Sequence, residues 1–404
     1  MRKGYLIIAA VATSFLASCS NERVLNELQD DDAIIRFESY SEKETKVPNT
    51  EDLSLEFYHN TFSVYSTKKD MEDKIDYVFG DTAQSSGITC TYTDNPGSFH
   101  GSNWRYLDER YWDKSATYKI IACAPSNETI SPIRYIFSNT HEVDTIGKNG
   151  SDFIIDNYYL TGKNLQQAMP QATLIQTGFN VQGEDLDMMT SKIRQCLGSE
   201  QYNYPVQFEF HHILSKLNVS VRKLKDANGI TVVIDSIIIT GLKDMGSYKE
   251  SLWKNTTNPF TGIVNKHSGW TLAETNHAPN YAIKYNGEAN HPLLPDAEQD
   301  PNNEDEYITK PIYYIESLVM PQELTDNAKI KLKYHIVSKL PGGRDESFTY
   351  IKSIKEIFNN DPVFFDRFMY TIDVKLDIKA VIFDVSTDNW IERSAGVTVN
   401  PLDN

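Results

Sequence analysis

An all-β chain with at least one sandwich follows from three features of this 404-residue sequence. Runs of β-branched and aromatic residues alternate with polar ones at period two. Tyr (23) and Phe (18) are abundant, and such side chains suit a pleated, half-buried surface. Apolar stripes at helical spacing are scarce.

The clearest strand runs are Phe62–Tyr65, Tyr118–Ala124, Val206–Phe210, Leu217–Val221 and Thr231–Ile239, followed by Lys329–Val337 and Tyr370–Ile378. The last two alternate apolar and charged residues, as strands of an antiparallel sheet do when one face is buried and one is wet. Turn residues separate the runs at Asn95–Gly97 (NPG), Ala227–Gly229 (ANG) and Pro341–Gly343 (PGG). Asp185–Cys196 could form a short helix, although in the family it resembles (below) part of it ends a strand. Tyr350–Phe358 puts Ile351, Ile354 and Phe358 on one helical stripe, which predicts a short surface helix packed on a sheet. The acidic stretch Asp296–Asp305 (DAEQDPNNED) has neither period and reads as a mobile insertion. It lacks the ligand order of an EF-hand.

The net charge of −17 argues against nucleic acid, which needs a basic face. The chain opens MRKGYLIIAAVATSFLASC. Arg2 and Lys3 precede an apolar run from Tyr5 to Leu16, shorter than the roughly 20 residues that span a bilayer. That is the pattern of a secretory signal. Leu16-Ala17-Ser18-Cys19 resembles a bacterial lipobox, so Cys19 is the expected lipid attachment point and residues 1–18 the signal peptide. Two or three acyl chains on Cys19 would anchor the protein stably, where one chain alone is marginal. Removing 18 of 404 residues leaves 386, enough for about two domains. A break at Gly198–Pro205 (GSEQYNYP) would divide them. The expected layout is 19–36 as tether and removable strand, 37–203 as the first sandwich and 204–404 as the second. Beyond Cys19 there remain Cys90, Cys123 and Cys196, an odd number with no C-x-x-C. Three buried free thiols are expected, with a Cys90–Cys123 bridge as the alternative.

No catalytic constellation is visible. His211 and His212 are adjacent on a strand, so their side chains face opposite ways and cannot share a metal easily. H-E-x-x-H, G-x-S-x-G and phosphate loops are absent from the sequence. No cofactor or metal is expected, and the chain does not read as an enzyme. Asp81-Thr-Ala83, Asp144-Thr-Ile146 and Asp235-Ser-Ile237 fit a D-[ST]-apolar O-glycosylation pattern that an Asp-rich chain also produces by chance. Trp104, Tyr106, Tyr111 and Trp112 either fill a core or form a sugar-stacking platform.

Several segments resemble the fimbrillin family (FimA/Mfa-like) of Bacteroidetes. They are the lipobox Cys19, the pair Ile35–Phe37 (IRF) and Thr45–Val47 (TKV), and Tyr111-Trp112 followed by Tyr118–Pro125 (YKIIACAP). Asp185–Ser191 (DLDMMTS), Phe210–Leu217 (FHHILSKL), Val319–Gln322 (VMPQ) and Val381–Trp390 (VIFDVSTDNW) continue the family's order. Lys46 stands where Arg is commoner, and the acidic stretch near 300 is an insertion. The resemblance implies two transthyretin-like β-sandwich domains in tandem, export as a lipoprotein, and a place at the outer membrane in surface fimbriae. Partners would be other fimbrial subunits or copies of the chain, the outer membrane through the lipid, and adhesion ligands on host or bacterial surfaces. In the family's stalk pilins a trypsin-like protease trims the N-terminus after Arg or Lys, and a strand from the next subunit fills the groove. Candidate cuts here are Arg36, preferred because it would remove Ala33–Ile35, and Arg23, which would free only the tether. A surface lipoprotein that captures glycans through exposed aromatics is the rival reading.

Overall fold

The computed structural model describes residues 34–41, 61–80, 87–93, 103–124, 126, 134–137, 153–162, 185, 187–223, 230–250, 269–287, 294, 298–300, 303–308, 311–338, 345–358, 362–376 and 381–389. In chain order the strands are β1 Phe37–Ser41, β2 Thr61–Lys69, β3 Ile75–Phe79, β4 Ile88–Tyr92, β5 Trp104–Arg105, β6 Thr117–Ala124, β7 Arg134–Phe137, β8 Phe153–Tyr159, β9 Met189–Ser191, β10 Arg194–Leu197, β11 Val206–His212 and β12 Ser215–Lys223. They continue with β13 Ile230–Thr240, β14 Met245–Glu250, β15 Trp270–Leu272, β16 Ala282–Asn286, β17 Glu298–Asp300, β18 Asn303–Ile308, β19 Ile312–Val319, β20 Gln322–Glu323, β21 Lys329–Ser338, β22 Glu346–Ser353, β23 Val363–Phe364, β24 Phe368–Leu376 and β25 Val381–Asn389. Single helical turns, α1 Gly198–Gln201 and α2 Ile354–Ile357, punctuate them. The architecture is all-β.

The first sheet runs β1-β11-β9-β6-β2-β4-β5, with β3 and β10 paired to β2 and β6 off that path. Its middle strands are covered on both faces, so β2 and β6 read as near-continuous buried runs rather than alternating ones. Phe62, Val64, Ile120 and Ala122 line one face with Phe208 and Phe210 from β11. Phe62 lies 4.4 Å from the Trp104 ring, 5.8 Å from Phe208 and 5.4 Å from Phe210, measured between ring centres. Such edge and tilted pairs add to the burial of the rings themselves. On the other face Tyr65, Ile121 and Cys123 join a second core.

That second core fills a sandwich of two four-stranded sheets, β19-β12-β24-β25 and β16-β13-β21-β22. Tyr285 of β16 and Tyr314 of β19 meet across it at 4.9 Å. A further sheet, β15-β14-β8-β7, joins strands from both halves of the chain, with β8 antiparallel to β14. Tyr158, Tyr248 and Trp270 of this sheet share the second core with Tyr65 and Ile121 of the first sheet. The Trp270 indole N–H donates to the Ile213 carbonyl. The segment 198–205 contains α1, and β11 just after it belongs to the first sheet; the chain passes to the second sandwich at Ile213–Leu214. After β13, Gly241 sits at φ +80°, and a Cβ there would lie 1.9 Å from the Asn327 carbonyl oxygen. Only glycine suits that turn.

Three local expectations are corrected. Asp185–Cys196 is not helical: Met189–Ser191 and Arg194–Leu197 are strands held by β11 and β6. Tyr350–Phe358 is helical only at Ile354–Ile357. The residues before it extend as β22 along the edge of β21, because Phe348 and Tyr350 stack on Tyr334. Ile354 and Phe358 are buried as the stripe requires, but Ile351 faces solvent. The acidic stretch forms strands, β17 antiparallel to β18. Backbone pairing there needs no apolar period, which is why the pattern missed it. The three turn tripeptides lie outside the described residues.

Phe62→Ala should cost about 3–5 kcal/mol, the usual range for an aromatic deleted from a packed core. A urea midpoint measurement checks it; a loss under about 1 kcal/mol would mean the aromatic cluster does not hold the first sheet.

Candidate functional site: the seat of the N-terminal segment

Residues 34–41 enter the first sheet at its edge. β1 runs parallel to β11 from Phe37 opposite Val206 to Ser41 opposite Phe210. Just before it, Ile34 makes an isolated antiparallel bridge to Tyr111. Ile34, Ile35 and Phe37 are all buried in the first core. Phe37 meets Phe79, Tyr106 and Phe208 at 5.5, 5.4 and 5.4 Å. The backbone is equally engaged. The Ile35 amide donates to the Arg110 carbonyl (2.8 Å), and the Val206 amide donates to the Arg36 carbonyl (2.7 Å). The Tyr106 hydroxyl donates to the Ile35 carbonyl (2.7 Å), and burial pushes that phenol's pKa up.

Arg36 is the one sequence-predicted processing residue among the described residues; Cys19 and Arg23 lie outside them. Its guanidinium Nη2 donates to the Asn203 carbonyl (3.0 Å), and its own carbonyl is bonded to Val206. The following residue, Phe37, is fully buried. A protease must bind several residues in extended form, so the Arg36–Phe37 bond is cleavable only when this edge lifts. The strand proper starts at Phe37, so a cut after Arg36 removes Ile34 and Ile35 and leaves β1 itself as the new terminus.

The other singled-out residues fall into place as structure. Trp104, Tyr106 and Trp112 are buried in the first core, and Tyr111 alone of the four is exposed. Those three therefore offer no stacking platform. Cys90, Cys123 and Cys196 are free thiols; Cys90 and Cys123 are buried, whereas Cys196, expected buried too, is only half-buried at the edge strand β10. Cys90 pairs across from Phe62 and Cys123 across from Ser63. Neighbouring β2 positions face opposite ways, so the two thiols lie on opposite sides of the sheet and cannot bridge. His211 and His212 face opposite ways, toward Glu250 and Asp187 respectively. Of the three glycosylation triplets only Asp235–Ile237 is described; Asp235 accepts from the His335 ring at 2.6 Å.

The sequence model of a family described as fimbrillin-like matches residues 45–390. The chain belongs to that family. No curated protein matches it. A solved fimbrial protein from Bacteroides vulgatus ATCC 8482 is 14% identical, with 89% of this chain and 100% of that one covered and a TM-score of 0.48. The fimbrial anchor protein Mfa2 from Porphyromonas gingivalis is 12% identical, with coverage of 88% and 97% and a TM-score of 0.29.

This fimbrillin-like chain also buries an ionisable junction between its halves. On β11, His211 Nε2 lies 3.6 Å from the Glu250 carboxylate of β14 and 3.2 Å from the Thr190 hydroxyl of β9. Thr190 and the Tyr248 hydroxyl both donate to Glu250. Asp366, on the turn before β24, is buried beside the same carboxylate. Desolvation raises its pKa to about 7; Arg367 pulls it down less, and Glu250 adds repulsion. Sequence reasoning missed this cluster because its members, from 190 to 367, meet only through long-range pairing.

The sign of its effect is fixed. A carboxyl with a raised folded pKa favours the protonated native state. Its contribution is full below the ordinary value near 3.8 and is lost as pH rises through about 7. Stability should therefore decline over that window by up to about 4 kcal/mol from this group. Asp366→Asn should flatten the decline in urea midpoints measured against pH; an unchanged profile would contradict the burial of an ionisable Asp366.

Proposed function

We propose that the protein is an exported lipoprotein subunit of surface adhesive fimbriae, held at the outer membrane through acylated Cys19. In this reading the N-terminal segment is a removable plug. The observation that supports it is the seating of Ile34, Ile35 and Phe37 at the sheet edge. Trimming after Arg36 empties the Ile34–Ile35 seat and releases the Tyr106 hydroxyl and the Arg110 carbonyl from their partners. β1 then keeps only its own pairing to β11. An extended strand from another subunit with apolar residues at matching positions would restore the lost backbone bonds and burial. Repeated head to tail, that contact does not close and gives a filament. We further propose two tandem transthyretin-like domains, from 37 to about 203 and from there to 404, with β11 contributed back to the first sheet.

Limited trypsin with N-terminal sequencing tests the plug. Cleavage should yield an N-terminus at Phe37 and a detergent-resistant ladder, and Arg36→Gln should abolish both. Ile35→Ala should speed that cleavage by about tenfold or more, since it weakens the seat. A trimmed but stable monomer, or trimming that ignores position 36, would overturn the plug.

A further inference from the structure

The outer face of the sheet β16-β13-β21-β22 is cationic on a chain that carries −17 overall. Alternation along β21 buries Ile330, Leu332 and Tyr334, so Lys329, Lys331 and Lys333 point away from the core. They recur about every 7 Å along the strand. Lys284 of β16 and Lys331 both register against Ile238 of β13, one on each side. On the other flank Lys331 pairs with Ile351, whose side chain is 61% exposed. Lys284, Lys329, Lys331 and Lys333 form no ion pair in the described structure. Of the acidic groups on the described strands of this sheet, Asp235 is engaged by His335, and Glu346 sits at the end of β22 opposite Ile336, beyond the lysine rows.

The complement is on the same chain. Between positions 285 and 309 the sequence has no Lys or Arg, and the β17–β18 hairpin carries Glu298, Asp300, Glu304, Asp305 and Glu306. Among the described residues the hairpin is a two-stranded sheet of its own.

We propose that the lysine face of one subunit docks the acidic hairpin of a second copy of this chain. The contact joins two different surfaces, so it leaves one of each unused at the ends and propagates instead of closing. It is a charge contact, so it is salt-sensitive, screened beyond about 8 Å at physiological ionic strength. It needs no strand exchange, and so it stands independently of the plug. Laid alongside a fibre, it is a means of lateral association.

Sedimentation of the full chain carrying Cys19→Ser and Arg36→Gln, which removes both the lipid and the candidate cut, tests it. Association is expected at low salt and should weaken as salt is raised. Neutralising the face (Lys329→Gln, Lys331→Gln, Lys333→Gln) or the hairpin (Glu304→Gln, Asp305→Asn, Glu306→Gln) should each weaken it about tenfold. The lysine set lies outside the core, and circular dichroism checks that each variant is folded. Mixing the two variants should give 1:1 pairs that grow no further, because each keeps one intact surface. A monomer at every salt concentration would overturn the proposal. So would association that ignores the lysines, or that needs the lysines and ignores the hairpin. Retention of heparin by the lysine face without self-association would hand the face to an anionic polymer instead.

Discussion

Phe37 is the side chain on which the first sheet closes. It is fully buried where Phe79, Tyr106 and Phe208 converge, and these come from β3, from the turn after β5 and from β11. A parallel pairing of five residues at a sheet edge is weak by itself. Burial of Ile34, Ile35 and Phe37, at about 1.5–3 kcal/mol each, is what fixes β1 in place. The N-terminal segment is thus part of the core rather than a strap across it. Whatever removes the first two of these side chains leaves an apolar seat and unpaired backbone groups that a replacement strand would satisfy.

The two halves of the chain are joined more tightly than a linker would join them. β8 and β14 share one sheet, and its aromatic side chains pack on the back of the first sheet. Beneath that contact sit Glu250, His211, Tyr248, Thr190 and Asp366, none of them able to reach bulk water easily. A buried ionisable junction is costly to break, because each partner would be left uncompensated.

Much of this was legible in the residues. The alternation of KIKLKYHIV announced β21 with one wet face, and the lysines on that face form no ion pair among the described residues. The run Tyr118–Ala124 marked β6 as a strand. The opposed faces of His211 and His212 followed from strand geometry alone. What was not legible depended on partners distant in sequence. Tyr350–Ser353 took a strand conformation because β21 offered an open edge and Tyr334 a stacking surface, neither visible in the local stripe. The burial of Trp104, Tyr106 and Trp112 resolved a choice that composition left open. The seat around Arg36 needed Arg110, Asn203 and Val206 to be brought together.

The central claim is that residues 34–36 are an integral but detachable part of the first sheet. Hydrogen exchange at the Val206 amide and along β11, compared before and after specific cleavage at Arg36, tests it most directly. Protection should fall at Val206 and its neighbours while the β13–β21 pairing keeps its protection. Unchanged exchange along β11, or loss of protection across both sheets, would contradict it.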